Sequence, residues 1–520
     1  MTEQVIGASN EKVRAVGNWL RAQAPAGAQL RIDSRAVSAG DVFIALPGRH
    51  VNGLQYVDQA IARGASALVV DETSWSAQAS HTTIRAPLLP VPSLSSILGG
   101  IAAEYYGNAS AQLRTIGITG TNGKTSSCQW IAQLLTAAGQ RCATIGTLGF
   151  GFPPALRTEG IDLTTPDAVS LQRLARTALD EGAKALAIEV SSIGLDQGRV
   201  QGVCFDVALF TNLSRDHLDY HPDMVAYGAA KRKLFDCPTL TDAVLNLDDA
   251  FGRQVAHELT ARGMRVTGVS TQRDSEASLA LACRLRAEGI EHHAQGMRFA
   301  VVCERGDAVE TVFVEVSLIG DFNVANLLGV LGVALACDIS LGKAAALTGA
   351  LRAPPGRLQR VGAHTDSRGP VVIVDYAHTP DAISKALEAL RPLARARGGR
   401  LCIVFGAGGD RDRGKRPVMG AVAASGAEHI VLTSDNPRGE NAESIIDQIA
   451  AGIPPGVPFV RNADRAQAIQ ETLQRAGVAD VVLIAGKGHE DYQEISGRRL
   501  PFSDYAIARS VLLSREAGTP

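Results

Sequence analysis

The chain has 520 residues, 46% of them hydrophobic and 20% charged, with a formal net charge of −2. That length is too great for a single core and predicts about three domains, and the balanced charge excludes nucleic acid as a partner recruited by bulk charge. Eight cysteines (Cys128, Cys142, Cys204, Cys237, Cys283, Cys303, Cys337, Cys402) fall at irregular spacing with no C-x-x-C. They predict reduced, mostly buried thiols in a cytoplasmic protein, not a disulfide framework or a zinc site. The opening MTEQVIGASNEKVRAVGNWL lacks the apolar centre of a signal peptide, and apolar runs such as LLGVLGVALA are too short to span a membrane.

In chain order, DVFIALPG and ASALVVD read as strands around the helix-like LQYVDQAIARG. A Pro-punctuated stretch and a helix follow, and the first boundary is placed near residue 109. LRTIGITG, a glycine loop and SSCQWIAQLLTAAG then give strand, loop and helix, after which RCATIGTLG, ALAIEVSS, DVALFTNLS and DAVLNLDD read as buried strands. The alternation with helical segments predicts a parallel sheet covered by helices. Residues 265–318, with MRFAVVCERG and TVFVEVSLIG, read as antiparallel, and GDFNVANLLGVLGVALAC returns to helix. LRAPPGRLQRV breaks at Pro-Pro-Gly, which places the second boundary near residue 356. Beyond it VVIVDYAHTPD, LCIVFGAGG, HIVLTSDNPRG and VVLIAGKGHED each end a strand in a polar loop, a second α/β unit whose ligands belong at the strands' C-terminal ends. The expected domains are 1–108, 109–355 and 356–520.

The stretch Ile118–Trp130 reads ITGTNGKTSSCQW. A strict Walker A loop needs glycine at position 118, where the chain has Ile118. The loop Gly120, Thr121, Asn122, Gly123, Lys124, Thr125, Ser126 still has the physics of a phosphate cradle, since glycines let backbone N–H groups curl toward an anion at a helix N-terminus. Lys124 would neutralise the β and γ phosphates of ATP, and the Thr125 hydroxyl would hold Mg²⁺. GAGGDR, at Gly406–Arg411, begins like a dinucleotide fingerprint but has arginine where the third glycine belongs, so that reading is rejected. Glu189 and His217 end consecutive strands, where an acid and a histidine facing a phosphate loop suggest Mg²⁺ ligands. On composition alone Lys231, in MVAYGAAKRKLF, reads as solvated like Arg232 and Lys233. His292 and His293 read as surface loop, and the basic runs RPLARARGGR and DRDRGKRP lack the aromatic residues of a nucleic-acid surface.

GTNGKTS, EVSS with DQGRV, TNLSRDHLDYH with YGAAK, GDFNVANLLG, DYAHTPD and AGKGHEDYQ, in that order, resemble the Mur ligases of bacterial cell-wall synthesis across residues 31–500. The family's own loop is of the G-T-x-G-K form. The resemblance implies an α/β chain of three domains: a small N-terminal α/β domain for a uridine nucleotide, a central P-loop-type parallel-sheet ATPase domain and a C-terminal Rossmann-like domain. It implies an amide ligase in which a substrate carboxylate attacks the γ-phosphate and an amine displaces phosphate from the acyl phosphate. It also implies that Lys124, Lys231, Glu189 and His217 are catalytic, with Lys231 carbamylated by CO2 into a ligand for a second Mg²⁺ and Thr125, Glu189 and His217 as the other metal ligands. Asn326 matches the residue on adenine, and Arg357 and Asp375 match residues that reach the nucleotide.

The implied substrates are ATP, a UDP-N-acetylmuramoyl-dipeptide and meso-diaminopimelate. Ile32, Ser34, Arg49, His50 and Val51 fall where the family holds the UDP-sugar, although DSR unaided reads as a turn. Thr164, Thr165, Ser191, Gln197 and Arg199 fit the muramoyl-dipeptide, while Ile193 stands where relatives often have histidine. Asp435, Asn436, Pro437 and Arg438 match the signature of members that select diaminopimelate, and an arginine fork suits the extra carboxylate that distinguishes it from lysine. A lone DNPR would otherwise be an Asx-Pro turn with a surface arginine. Arg411, Gly486 and Glu490 match the same pocket. A lysine-adding homologue and a folylpolyglutamate-type synthetase are the alternatives within the fold; a P-loop motor or switch is the alternative outside it. The chain is expected to be cytoplasmic and monomeric.

Overall fold

The computed structural model describes residues 2–48, 52–76, 86–158, 161, 163–272, 279–293, 296–362 and 369–517. Arg49, His50 and Val51, expected at the UDP-sugar, lie outside them. Two compact units contain the described chain. The first comprises Met1–Ser270, Asp274–Arg284 and Gly329–Ser340; the second comprises Thr271–Arg273, Leu285–Leu328 and Leu341–Pro520. No described helix is long and apolar enough to cross a membrane.

The first unit opens with four parallel strands, β1 (Leu30–Arg31), β2 (Val42–Ala45), β3 (Ala67–Asp71) and β4 (Leu88–Val91), in that spatial order. Side chains alternate across a strand. Val42 and Ile44 therefore pack with Val16, Leu20 and Leu98 of two helices, while Phe43 and Ala45 pack with Val57 and Ala60 on the other face. A strand buried on both faces reads as an unbroken apolar run, which is why VFIA carries no polar alternation.

Next come β5 (Arg114–Thr119), β6 (Cys142–Gly146), β7 (Gly149–Phe152), β8 (Ala155–Arg157), β9 (Ala185–Glu189), β10 (Val207–Phe210), β11 (Asp242–Asn246) and β12 (Arg265–Ser270). Their order is β12-β11-β10-β5-β9-β6-β7-β8. Pairing is parallel from β12 to β6 and antiparallel through β7 and β8. Residues 265–270 thus differ from the antiparallel reading of 265–318: β12 extends the parallel sheet, because the helix Ala250–Ala261 supplies its crossover. Strand β5 lies between β9 and β10, so the loop after it is flanked by the ends of both. This is the switch point at which open α/β sheets bind ligands.

In the second unit β14 (Gly296–Arg305) and β15 (Ala308–Val316) form an antiparallel hairpin preceded by β13 (Cys283–His293). His292 and His293 are therefore the end of a strand and not a surface loop, and they lie 2.7 Å from Asp321 and 3.9 Å from Glu315. A six-stranded sheet contains β16 (Gln359–Arg360), β17 (Val371–Asp375), β18 (Leu401–Phe405), β19 (His429–Leu432), β20 (Val460–Arg461) and β21 (Val481–Ala485), in the order β16-β17-β21-β18-β19-β20. All its pairs but β16–β17 are parallel. The ends of β21, β18 and β19 lie side by side, and a short hairpin of β22 (Tyr492–Ile495) and β23 (Arg498–Pro501) follows. All eight cysteines are free and six are buried, as expected.

Candidate active site

The glycine loop forms as its sequence requires. Gly120 has φ +146°, and a Cβ there would fall 1.9 Å from Thr211 Oγ1, so only glycine lets the two strand ends approach so closely. Gly123, at φ +84°, opens the helix Lys124–Ala137. The end of β10 braces the loop: Thr121 N–H donates to Asn212 O (2.7 Å), Asn122 N–H to Asn212 Oδ1 (3.1 Å) and Thr211 Oγ1 to Asn122 O (2.6 Å). Lys124 Nζ donates to Gly120 O (2.9 Å) and Thr121 O (2.8 Å).

Lys231 overturns the solvated reading. It is 1% exposed, and its Nζ donates to Gly120 O (2.7 Å) while lying 4.4 Å from the centre of the Tyr227 ring. Helix Met224–Arg232, started by an Asp223 cap on Ala226 N–H, aims this face at the loop while Arg232 turns to Glu258. Two lysine amino groups thus share one carbonyl. Burial, aided by the charge of Lys124, pushes the Lys231 pKa well below its ordinary range.

Glu189, fully buried at the end of β9, accepts from Thr125 Oγ1 (2.8 Å), Thr147 N–H (2.9 Å) and Thr147 Oγ1 (3.1 Å). Gly146 makes room, since a Cβ there would meet Glu189 Oε1 at 2.2 Å. A hydroxyl and a carboxylate oxygen side by side are hard donors suited to Mg²⁺, which needs few protein ligands when phosphates supply the rest. Among the described residues no group of three His, Cys, Asp or Glu side chains could hold a metal. His217 has φ +53°, and its Nε2 lies 3.7 Å from Asp216 Oδ2; like Lys231 it lies against Tyr227, with 6.1 Å between ring centres. Thr125 and Glu189 are joined by a hydrogen bond, and among the described residues no hydrogen bond joins His217 to either.

Beside Glu189, Thr164 Oγ1 lies 3.1 Å from Thr147 Oγ1. Thr165 Oγ1 accepts from Ser191 N–H (2.9 Å) and donates to Glu189 O (2.9 Å). Arg199 Nη1 donates to Thr165 O (2.9 Å) and Nε to Gln197 Oε1 (3.0 Å), so the five residues expected at the muramoyl-dipeptide form one edge of this cluster. Ile193 is half-buried in the helix Ser192–Asp196. In the N-terminal sheet Asp33 caps a 3₁₀ turn over Ser34–Ala36, Ser34 Oγ donates to Gln59 Oε1 (2.6 Å) and Ile32 is half-buried. DSR is a turn as well as a candidate site.

In the second unit Asn326 Nδ2 donates to Asn323 Oδ1 (3.1 Å). The Asp375 carboxylate accepts from Leu358 N–H (2.7 Å) and Ala377 N–H (2.8 Å), yet burial raises its pKa. The Arg357 guanidinium lies 4.9 Å from the Tyr376 ring centre, and its buried Nε has no hydrogen-bond partner among the described residues. Such an orphaned donor suits an acceptor brought by a ligand.

The diaminopimelate candidates form a separate network. Gly486 has φ +117°, and a Cβ there would meet Asp435 Oδ2 at 2.3 Å. Asn436 Nδ2 donates to Glu490 Oε2 (2.8 Å), and Asn436 Oδ1 accepts from Glu494 N–H (2.9 Å). Pro437 is buried, and its carbonyl lies where a Cβ on Gly409 would stand. Arg438, in the left-handed region at φ +50°, donates from Nη1 to Gly409 O (2.7 Å), and its Nε lies 3.5 Å from Glu494 Oε2. Arg411 is exposed on the adjoining loop after β18.

Three cations that sequence reasoning passed over hold these loops. Fully buried Arg465 pairs with Asp504 (2.8 Å) and donates to Ser434 O (3.1 Å) and Ala485 O (2.9 Å), tying the ends of β19 and β21. Fully buried Arg416 pairs with Glu440 (2.9 Å) and donates to Gly408 O (3.1 Å). Fully buried Lys487 donates to Asn436 Oδ1 and Glu490 Oε2 (2.9 Å each). Lys487 lay inside AGKGHED, but a lysine between two glycines gives no sign of burial. A cavity of about 160 Å³, lined by His292, His293, Arg360 and Leu393, holds none of the candidate residues.

The Mur ligase middle domain family matches residues 118–334, the Mur ligase glutamate ligase domain 356–488 and the Mur ligase catalytic domain family 28–106. The chain belongs to the Mur ligase family, an α/β fold of N-terminal, middle and C-terminal domains. A relative from Ralstonia nicotianae, UDP-N-acetylmuramoyl-L-alanyl-D-glutamate–2,6-diaminopimelate ligase, is 45% identical over 97% of this chain and 96% of its own. A solved structure of a ligase of that name is 34% identical, with TM-score 0.65 over 94% of this chain and 95% of its own. The MurF ligase of Thermotoga maritima in complex with ADP, 17% identical with TM-score 0.59 over 94% of this chain and 96% of its own, shares the fold.

Proposed function

We propose that this chain is an ATP-dependent, ADP-forming amide ligase that adds meso-diaminopimelate to UDP-N-acetylmuramoyl-L-alanyl-D-glutamate in peptidoglycan precursor synthesis. The observation that carries this reading is the pair Lys124 and Lys231 on one carbonyl of the glycine loop, beside Thr125–Glu189, in a chain related over 97% of its length to such a ligase. Residues 1–108 would hold the UDP-sugar through Ile32, Ser34, Arg49, His50 and Val51, 109–355 would hold ATP and 356–520 the amino acid. The working form would be a cytoplasmic monomer.

Backbone N–H groups of Gly120–Ser126 and the Lys124 ammonium would take the phosphates, with Asn326, Arg357 and Asp375 serving the rest of the nucleotide. Lys231 would react as its neutral amine with CO2, forming an N–C bond and releasing a proton. Burial supports this by pushing the pKa down and so favouring the neutral amine over the ammonium. Thr125, Glu189, the carbamate and His217 would then hold Mg²⁺, which supplies charge neutralisation at the γ-phosphate. Thr164, Thr165, Ser191, Gln197 and Arg199 would fix the D-glutamate carboxylate for attack on the γ-phosphorus, with ADP leaving and an acyl phosphate forming. The diaminopimelate amine, after losing a proton, would attack the acyl carbon, and phosphate would leave. Positioning and charge neutralisation carry such a reaction. Asp435, Asn436, Pro437, Arg438, Arg411, Gly486 and Glu490 would select the amine.

ADP release measured over a panel of amino acids with the UDP-muramoyl-dipeptide tests the reading. Diaminopimelate should support turnover and L-lysine should not. Preference for lysine or glutamate would favour the alternatives within the fold, and hydrolysis without any acceptor would favour a motor or switch.

A further inference from the structure

Glu490 and Asn436 can serve an incoming amino acid only if their side chains are held in one orientation, and the structure contains the device that holds them. Glu490 Oε2 accepts both Asn436 Nδ2 (2.8 Å) and Lys487 Nζ (2.9 Å), which occupies its lone pairs. Glu490 Oε1 takes no partner among the described residues, and the side chain is 19% exposed. Asn436 Oδ1 accepts two donors, Lys487 Nζ and Glu494 N–H (2.9 Å each), which fixes the amide with its oxygen toward the lysine and its nitrogen toward Glu490. Lys487 itself is 0% exposed, lies 5.4 Å from the Tyr492 ring centre and is flanked by glycines that bring its backbone against Asp435 and Tyr376.

We propose that Lys487 is a positioning residue for the amino-acid substrate, pinning Asn436 and one oxygen of Glu490 so that the other oxygen is presented to an ammonium group. The proposal rests on the ligase reading above. A buried ammonium suits this task because its charge opposes rotation of the carboxylate, and burial weakens competition from water. A carboxylate already oriented binds an ammonium without the entropic cost of ordering its side chain.

Steady-state KM values for ATP, the UDP-muramoyl-dipeptide and diaminopimelate test it in the full chain, in Lys487→Met, in Glu490→Gln and in the double variant. Lys487→Met should raise the diaminopimelate KM about tenfold or more and leave the other two within about twofold. Because the lysine acts largely through Glu490, Lys487→Met should cost much less in the Glu490→Gln background than in the parent, the remainder reporting Asn436. Equal rises in all three KM values, or losses that multiply in the double variant, would overturn the role. Should Lys487→Met fail to fold, Lys487→Gln keeps an N–H donor and is read in the same way: an unchanged diaminopimelate KM overturns the proposal, and a selective rise supports it. If the parent chain uses no diaminopimelate at all, the functional reading fails instead.

Discussion

Around the glycine loop of the first unit, backbone does most of the positioning: Thr121 and Asn122 are laced to Asn212, and Lys231 is held by a carbonyl and an aromatic ring. In the second unit each of the three buried cations has its own carboxylate, Arg465 with Asp504, Arg416 with Glu440 and Lys487 with Glu490. The contrast is the one that the proposed ligands would require. A site for polyphosphate gathers positive charge and is completed by the anion it binds, whereas a site for a zwitterion needs both signs fixed beforehand. The first should therefore respond steeply to loss of a cation, and the second to loss of a pairing.

The largest effect is expected at Lys231. Lys231→Ala removes both the buried amine and any group built on it, and kcat should fall about a thousandfold or more, comparable with removal of a principal charge-stabilising group. Added bicarbonate should restore nothing, because no amine remains to react. Activity within tenfold of the parent would remove Lys231 from the metal site. A ¹³C-bicarbonate NMR signal present in the parent and absent from the variant would tie the loss to the modification.

On the other side of the comparison, Asp504→Ala strands Arg465 as an unpaired buried charge between the ends of β19 and β21. Breaking such a pair from one side costs about 3–5 kcal/mol, and urea unfolding should show a loss of this size. A loss below about 1 kcal/mol would mean that the two carbonyls alone satisfy the arginine.

Arg438→Lys should act more locally. Arg438 uses Nη1 on Gly409 O and sets Nε toward Glu494, so a lysine cannot keep both contacts and still face a carboxylate. The diaminopimelate KM should rise about tenfold to a hundredfold while that for ATP stays unchanged. An unchanged diaminopimelate KM would take this loop out of the amino-acid pocket.

The same contrast explains how much was legible in the sequence. Gly120, Lys124 and Thr125 were readable because glycines, a lysine and a hydroxyl at fixed local spacing can build a cradle unaided. The parallel strands of the three larger sheets were readable because burial on both faces leaves unbroken apolar runs. Lys231 and Lys487 were not, since their burial depends on strands and loops far away in the chain. Arg465 and Arg416 carry no local sign of burial for the same reason: their partners are 39 and 24 positions distant. β12 was misread because its direction depends on a crossover helix, not on its own alternation. Its own neighbours make Lys231 read as solvated, and only the family's ordered motifs point to the metal role proposed for it.

The smallest effect is expected at Glu440, which accepts from Arg416 (2.9 and 3.0 Å) and from Asp410 N–H (2.6 Å) and lies 3.2 Å from Arg413. These donors, the Arg416 guanidinium first, hold its carboxyl at about 2, below the usual 4.5. A carboxylate with a depressed folded pKa stabilises above its unfolded value and loses that contribution as pH falls toward the folded one. The melting temperature of the parent should therefore exceed that of Glu440→Gln most clearly above pH 5, and the gap should close between about pH 4.5 and 2. Glutamine keeps the shape and one acceptor, so the difference reports the charge and not the packing. A gap that stays constant through this window would show that the loops carrying Arg411 and Arg438 are joined by hydrogen bonds alone, and would weaken the contrast between a phosphate side completed by its ligand and an amino-acid side paired in advance.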